Sequence, residues 1–199
     1  MRLSYNSPVI LTFTLISTAV LVLTQYIGMD LNGFFSVAES MSWTNPLSYF
    51  RLFTHVIGHA NTEHLVGNFT FILLIGPILE EKYGSKDILF MIVVTAFVTG
   101  LLYILFSSIF GDPNINEGLL GASGIVFMLI ILSSLTNFQK GTIPLTFILV
   151  AILFLGKEIY QGLTSEDNIS QLAHIGGGIC GGILGFIAEK GKMNKSTVS

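Results

Sequence analysis

Ser123 is the residue whose chemistry matters first. It stands in Gly121-Ala122-Ser123-Gly124, where a polar loop over residues 111–118 gives way to the apolar run 125–132. A serine among small residues at the mouth of an apolar helix is either packing filler or a nucleophile. Three other polar residues in apolar segments bear on the choice: His174, His64 and Asn68. Ser123 with His174 has the make-up of a nucleophile and its general base, because an imidazole with an ordinary pKa near 6.5 can take the hydroxyl proton and return it to a leaving amine. His64 and Asn68 lie four apart and share a helix face. They can offer hydrogen bonds to a developing oxyanion, with the Ser123 backbone N–H as a third donor at a helix N-terminus. The acidic residues nearest His174 in sequence, Glu166 and Asp167, belong to the preceding loop, so the expectation is a Ser-His dyad.

These residues need elements to bring them together. The chain has 199 residues, 51% hydrophobic and 11% charged, with a mean hydropathy of +0.75. Soluble domains carry about 25% charged residues, so this reads as one integral membrane domain over 1–199, of all-α class. The net charge of −3 argues against a nucleic-acid partner. The single cysteine, Cys180, permits no disulfide framework and reads as a small core residue. Arg2 precedes an apolar stretch over 9–27 without a clear small-x-small cleavage site, which reads as a retained first helix.

Six spans are expected, over 9–29, 64–79, 88–110, 123–135, 143–160 and 173–188. The second, fourth and sixth are short against the ~20 residues a bilayer needs. Seven of the nine Lys and Arg fall at the N-terminus, in the 2–3 and 4–5 loops and in the tail; Arg51 and Lys157 are the exceptions. The excess of positive charge marks the cytoplasmic face, so both termini should be cytoplasmic in a multi-pass protein of the cell membrane. The first loop, 30–63, is rich in aromatics, including Trp43, Tyr49, Phe50 and Phe53. It reads as short interfacial helices, with a turn at Asn45-Pro46. The loop over 161–170 reads as polar and mobile.

Depth brings the polar residues together. Ser123 lies 17 residues before Lys140, His174 16 before Lys190, and His64 and Asn68 18 and 14 before Lys82. At ~1.5 Å per residue all four sit roughly 21–27 Å above the inner edge of a core about 30 Å thick. Gly121 and Gly124 would let a substrate backbone approach. The glycines after His174 form small-xxx-small pairs, Gly177/Gly181, Gly178/Gly182 and Gly181/Gly185, suited to close packing on the helix that begins with Ser123.

The stretch His59-Ala60-Asn61-Thr62-Glu63-His64-Leu65-Val66-Gly67-Asn68, then Glu80 and Gly84, then Gly121-Ala122-Ser123-Gly124, then Ala173-His174-Ile175-Gly176 resembles the rhomboid intramembrane serine proteases, in their compact six-helix bacterial form. The likeness runs from the first span to the sixth. It implies Ser123 as nucleophile, His174 as base, and His64, Asn68 and the Ser123 amide as the oxyanion hole. It further implies structural roles for Arg51, Glu80 and His59, a mobile cap and gate over 161–170 and the fifth helix, and single transmembrane helices as substrates, cut near their outer ends. No cofactor or metal is implied. The family often has Tyr four residues after the serine, stacked on the catalytic histidine. Here the residue is Phe127, which keeps the ring and loses the hydroxyl.

Three rival readings follow from the same residues. His55, His59 and His64 could ligate zinc, although no H-E-x-x-H is present. A non-catalytic rhomboid-like protein could bind transmembrane helices without cutting them, but such relatives usually lack the serine or histidine. A transporter or channel would be expected to carry charges in mid-span, which are missing here.

Overall fold

The computed structural model describes residues 5–29, 31, 33–38, 41–110, 118–135, 145, 148–149, 152–153 and 168–196. Six α-helices occur among them: α1 (Pro8–Leu21), α2 (Pro46–Thr54), α3 (Thr62–Tyr83), α4 (Ser85–Phe110), α5 (Ser123–Leu135) and α6 (Asn168–Ser196). A π-helical turn, Val22–Tyr26, prolongs α1. Pro8–Tyr26, Thr62–Tyr83 and Ser85–Ile109 are long and apolar enough to cross a membrane; Ser123–Leu135 and His174–Ala188 are shorter apolar helices. The expected fifth span, 143–160, lies outside the described residues apart from helical residues 145, 148, 149, 152 and 153. The expected loop 161–170 ends sooner than read, because 168–170 already belong to α6.

α5 is the hub. Along it Gly124, Ile125, Val126, Met128, Leu129, Ile130, Leu132 and Ser134 are buried, so it is enclosed on most sides. Its partners are α6, α3 and α4. A 13-residue helix is only about 20 Å long, shorter than a hydrocarbon core of about 30 Å. That shortness is what can leave its first residue, Ser123, below a membrane surface.

The α5–α6 contact follows from glycine. A Cβ at Gly177 would lie 2.3 Å from the Gly124 carbonyl oxygen, and one at Gly181 2.5 Å from that of Met128. Without side chains the two backbones meet directly, and dispersion between them replaces the hydrophobic drive that lipid does not provide. Of the three expected pairs, Gly177/Gly181/Gly185 forms this seam. Gly178 and Gly182 face Ile131 at 3.8–3.9 Å, ordinary packing distance.

Caps explain the starts of the other helices. Asn45-Pro46 is a helix start and not the turn expected: the Asn45 side chain accepts from the Leu47 N–H, and Pro46 occupies the first turn. α3 begins two residues earlier than expected because the Asn61 side chain caps it, accepting from the His64 N–H at 2.8 Å. α1 has no acidic residue in its first turn. Glu80 of α3 supplies the charge: its buried carboxylate accepts from the Val9 and Ile10 N–H groups at 3.0 Å each and from the Ser85 hydroxyl at 2.7 Å. These orphan amides would otherwise be buried without partners. At the opposite end of α1 the Tyr26 hydroxyl meets that of Thr62 at 3.1 Å.

The first loop folds back over the bundle. Arg51 donates from Nε to the Gly33 carbonyl at 2.6 Å, and Thr54 donates to that of Phe34 at 2.9 Å. Val37 and Leu119 exchange both backbone bonds in one antiparallel bridge. That bridge holds the segment leading into Ser123. α2 exposes Tyr49, Phe50 and Phe53, with Trp43 just before it, an aromatic face suited to an interface.

Candidate active site

Ser123 opens α5 and His174 lies one turn and a half into α6. The glycine seam presses these helices together, and the Ser123 Oγ comes 2.7 Å from His174 Nε2. That is ordinary hydrogen-bond distance for a hydroxyl and an imidazole. Both residues are half-buried. Phe127, one turn along from Ser123, stacks on the His174 ring with centroids 5.1 Å apart and planes at 10°. The ring is thus held in plane by contact with an aromatic face.

Opposite lies the start of α3. Gly121 has φ +120°, a conformation L side chains rarely adopt. A Cβ there would lie 2.5 Å from His64 Cε1, 2.7 Å from His64 Nε2 and 3.7 Å from Asn68 Nδ2. Glycine is therefore required twice, by the backbone and by the imidazole seated against it. This revises the expected part of Gly121 and Gly124 in admitting a substrate backbone. Gly121 makes room for His64, and Gly124 for Thr99 Cγ2, 3.0 Å from its would-be Cβ, and for Gly177. The four residues expected at one depth are brought into one region: Ser123 with His174, and His64 with Asn68 beside Gly121.

Two further histidines hold the loop before Ser123, a role that composition and spacing did not suggest for His55. The His55 carbonyl accepts from the Gly121 N–H at 2.9 Å. Its buried ring lies between the Arg51 carbonyl, 3.2 Å from Nδ1, and the Thr99 hydroxyl, 3.3 Å from Nε2. Burial pushes the His55 imidazole down to about 4. His59 is also buried, and burial together with neighbouring His64 pushes it down to about 4. Its Nδ1 lies 3.1 Å from the Ile57 carbonyl, and its Nε2 3.1 Å from Asn68 Nδ2 and 3.3 Å from the Ala122 N. Both nitrogens of each ring are thus engaged by protein groups, and among the described residues no cluster of three or more His, Cys, Asp or Glu could hold a metal ion.

Arg51 and Glu80 sit away from this centre, in the bonds to the first loop and to α1 described above. Glu166 and Asp167 lie outside the described residues. Two signals in the sequence could have revealed more. Asn61 two residues before Glu63 is a helix-start pattern. Thr95 and Thr99, spaced one turn apart on α4, mark a buried polar face, and Thr99 of that pair meets His55 and Gly124.

The rhomboid domain family model matches residues 46–190. The chain belongs to the rhomboid family, whose members are integral membrane proteins and include serine proteases. It is 24% identical to the rhomboid protease GlpG of Haemophilus influenzae over 186 residues, covering 91% of this chain and 93% of that protein. It is 31% identical to RHOMBOID-like protein 1 of Arabidopsis thaliana over 140 residues, and 29% identical to Rhomboid-like protein 15 of the same plant over 153 residues. Those matches cover 69% and 73% of this chain but 34% and 37% of the plant proteins, so the chain spans about a third of their length.

Proposed function

We propose that this protein is an intramembrane serine endopeptidase that cuts transmembrane substrate helices near their outer ends. The observation that carries this reading is the 2.7 Å approach of Ser123 Oγ to His174 Nε2. As Oγ bonds to the scissile carbonyl carbon, its proton passes to Nε2 and the carbonyl oxygen becomes an oxyanion. The Asn68 amide, the His64 ring and the Ser123 N–H donate to that oxygen. Collapse breaks the C–N bond, and the imidazolium gives its proton to the leaving amine. Water then attacks the acyl-enzyme, losing its proton to Nε2, and Ser123 is released with its proton restored. His174 works here as one half of a dyad, steadied by the Phe127 ring.

A membrane location for this chemistry sets the substrate. A transmembrane helix satisfies its own backbone in lipid, so a serine can reach a carbonyl only where the helix unwinds. Small or helix-breaking residues near the outer end supply that opening. The substrate is thus another membrane protein in the same cell-membrane bilayer, with six spans in this chain and both its termini on the cytoplasmic side.

The test is cleavage of a single-span substrate by purified protein in liposomes. Ser123→Ala and His174→Ala should each reduce cleavage to background while keeping the fold. Asn68→Ala should lower kcat by up to about 10²-fold, since other donors remain. Full activity in Ser123→Ala would overturn the nucleophile assignment. A well-folded wild type that cuts nothing would favour a helix-binding relative without activity.

A further inference from the structure

The turn from His55 to His59 makes more bonds to the nucleophile's loop than packing requires. Two consecutive amides before Ser123 are tied to it, Gly121 N–H to the His55 carbonyl and Ala122 N–H to His59 Nε2. The same nitrogen of His59 also lies 3.1 Å from Asn68 Nδ2. We infer that His59 is a positioning residue that sets the oxyanion donors from both sides, aiming the Asn68 amide and fixing the peptide that carries the Ser123 N–H. This rests on the protease reading above.

The protonation pattern is fixed by the partners. Nδ1 faces the Ile57 carbonyl, which can only accept. Nδ1 therefore carries the hydrogen, and Nε2 presents its lone pair to the two N–H groups. An acceptor at Nε2 requires the NH₂ end of Asn68 to face it, so the amide has one orientation. One Nδ2–H is spent on His59 and the other is left for substrate. That second N–H belongs to a nitrogen 3.7 Å from the empty Cβ place of Gly121, where the His64 ring also converges.

Ala122 is held at both ends. Its N–H goes to His59, and its carbonyl accepts from the Val126 N–H at 3.0 Å. With that carbonyl turned along α5, the Ser123 N–H of the same peptide plane points the opposite way, out of the helix N-terminus. The His59 ring itself has little freedom. It is 4% exposed, lies edge-on to His64 at 5.1 Å and is tilted against Phe69 at 5.6 Å.

A double-mutant cycle in the liposome assay tests this. His59→Leu is expected to lower kcat about 10- to 100-fold with KM changed less than about twofold, since it disturbs donors used mainly in the transition state. In an Asn68→Ala background the same change should cost several-fold less, because part of its effect runs through Asn68. His59→Gln, which can still accept through its side-chain oxygen, should recover about tenfold over His59→Leu. Multiplicative losses, a loss confined to KM, or a Gln variant no better than Leu would overturn the inference. If His59→Leu fails to fold, the cycle is read with His59→Gln, and the same non-additivity is required. Wild-type cleavage that survives Ser123→Ala would remove the protease reading itself, an outcome separate from an additive cycle in a serine-dependent enzyme.

Discussion

Several polar side chains near Ser123 are buried against partners that demand one protonation state. His55 and His59 are the clearest cases, both held neutral with pKa values near 4 against an ordinary 6.5. The unfolded chain binds more protons than the native one between those values, so stability must rise with pH there. Above about pH 6.5 the stability is fully present; it declines as pH falls and is lost once pH reaches about 4. Each histidine, lowered from 6.5 to about 4, contributes up to about 3 kcal/mol to this pH dependence. Thermal unfolding in detergent should therefore show Tm falling steeply from pH 6.5 to 4 in the wild type. His55→Gln should begin lower and fall less steeply. A parallel pair of curves would contradict the assignment of His55 as a buried neutral acceptor. Which histidine does what was only partly written in the sequence. The His64–Asn68 spacing and the Ser123 motif could be read directly. His55 could not, because its role runs through its backbone carbonyl and a partner, Thr99, 44 residues away.

Among the elements, α5 and α6 decide whether there is a site at all. Their seam is backbone on backbone at Gly177 and Gly181, while Gly178 and Gly182 look toward Ile131 with room to spare. Gly181→Ala should push the helices apart, part Ser123 from His174 and abolish cleavage. Gly182→Ala, one residue on, should keep most of the wild-type rate. Equal effects in the liposome assay would mean that the seam is not what brings the dyad together. The small-xxx-small pattern made this helix pair legible, and the α5 bounds were read as found, because both are periodic and local. The choice among three glycine pairs was not legible, since helix rotation is set by neighbours such as Leu102, which packs against Gly176. The starts of α2 and α3 were missed for a different reason. Each depends on a single asparagine cap, Asn45 or Asn61, and a cap outweighs the apolar pattern that follows it.

At the scale of the molecule, a buried carboxylate and one backbone bridge tie the elements together. Glu80 ties α1 to α3 through two hydrogen bonds and the start of α4 through a third, and the first loop ties α2 to the segment before Ser123 through Val37 and Leu119. Seven of nine cationic residues lie on the side assigned to the cytoplasm. Reporter fusions in a bacterial host check this: a fluorescent protein after Ser199 should fluoresce, and a phosphatase that needs the outside should stay inactive there. The opposite pattern would contradict a cytoplasmic C-terminus. Hydropathy made the membrane class plain. A short helix in the aromatic first loop was also legible, and α2 is that helix, whereas the loop's bridge to Leu119 joins residues 82 apart in the chain and leaves no local signature.

The central claim is that Ser123 is a nucleophile made reactive by His174. The most direct measurement is labelling of the purified protein with a fluorescent fluorophosphonate, followed by mass spectrometric mapping of the adduct. A single adduct on Ser123, absent in Ser123→Ala and strongly reduced in His174→Ala, is the predicted result. An adduct on another residue, or labelling undiminished in Ser123→Ala, would contradict it.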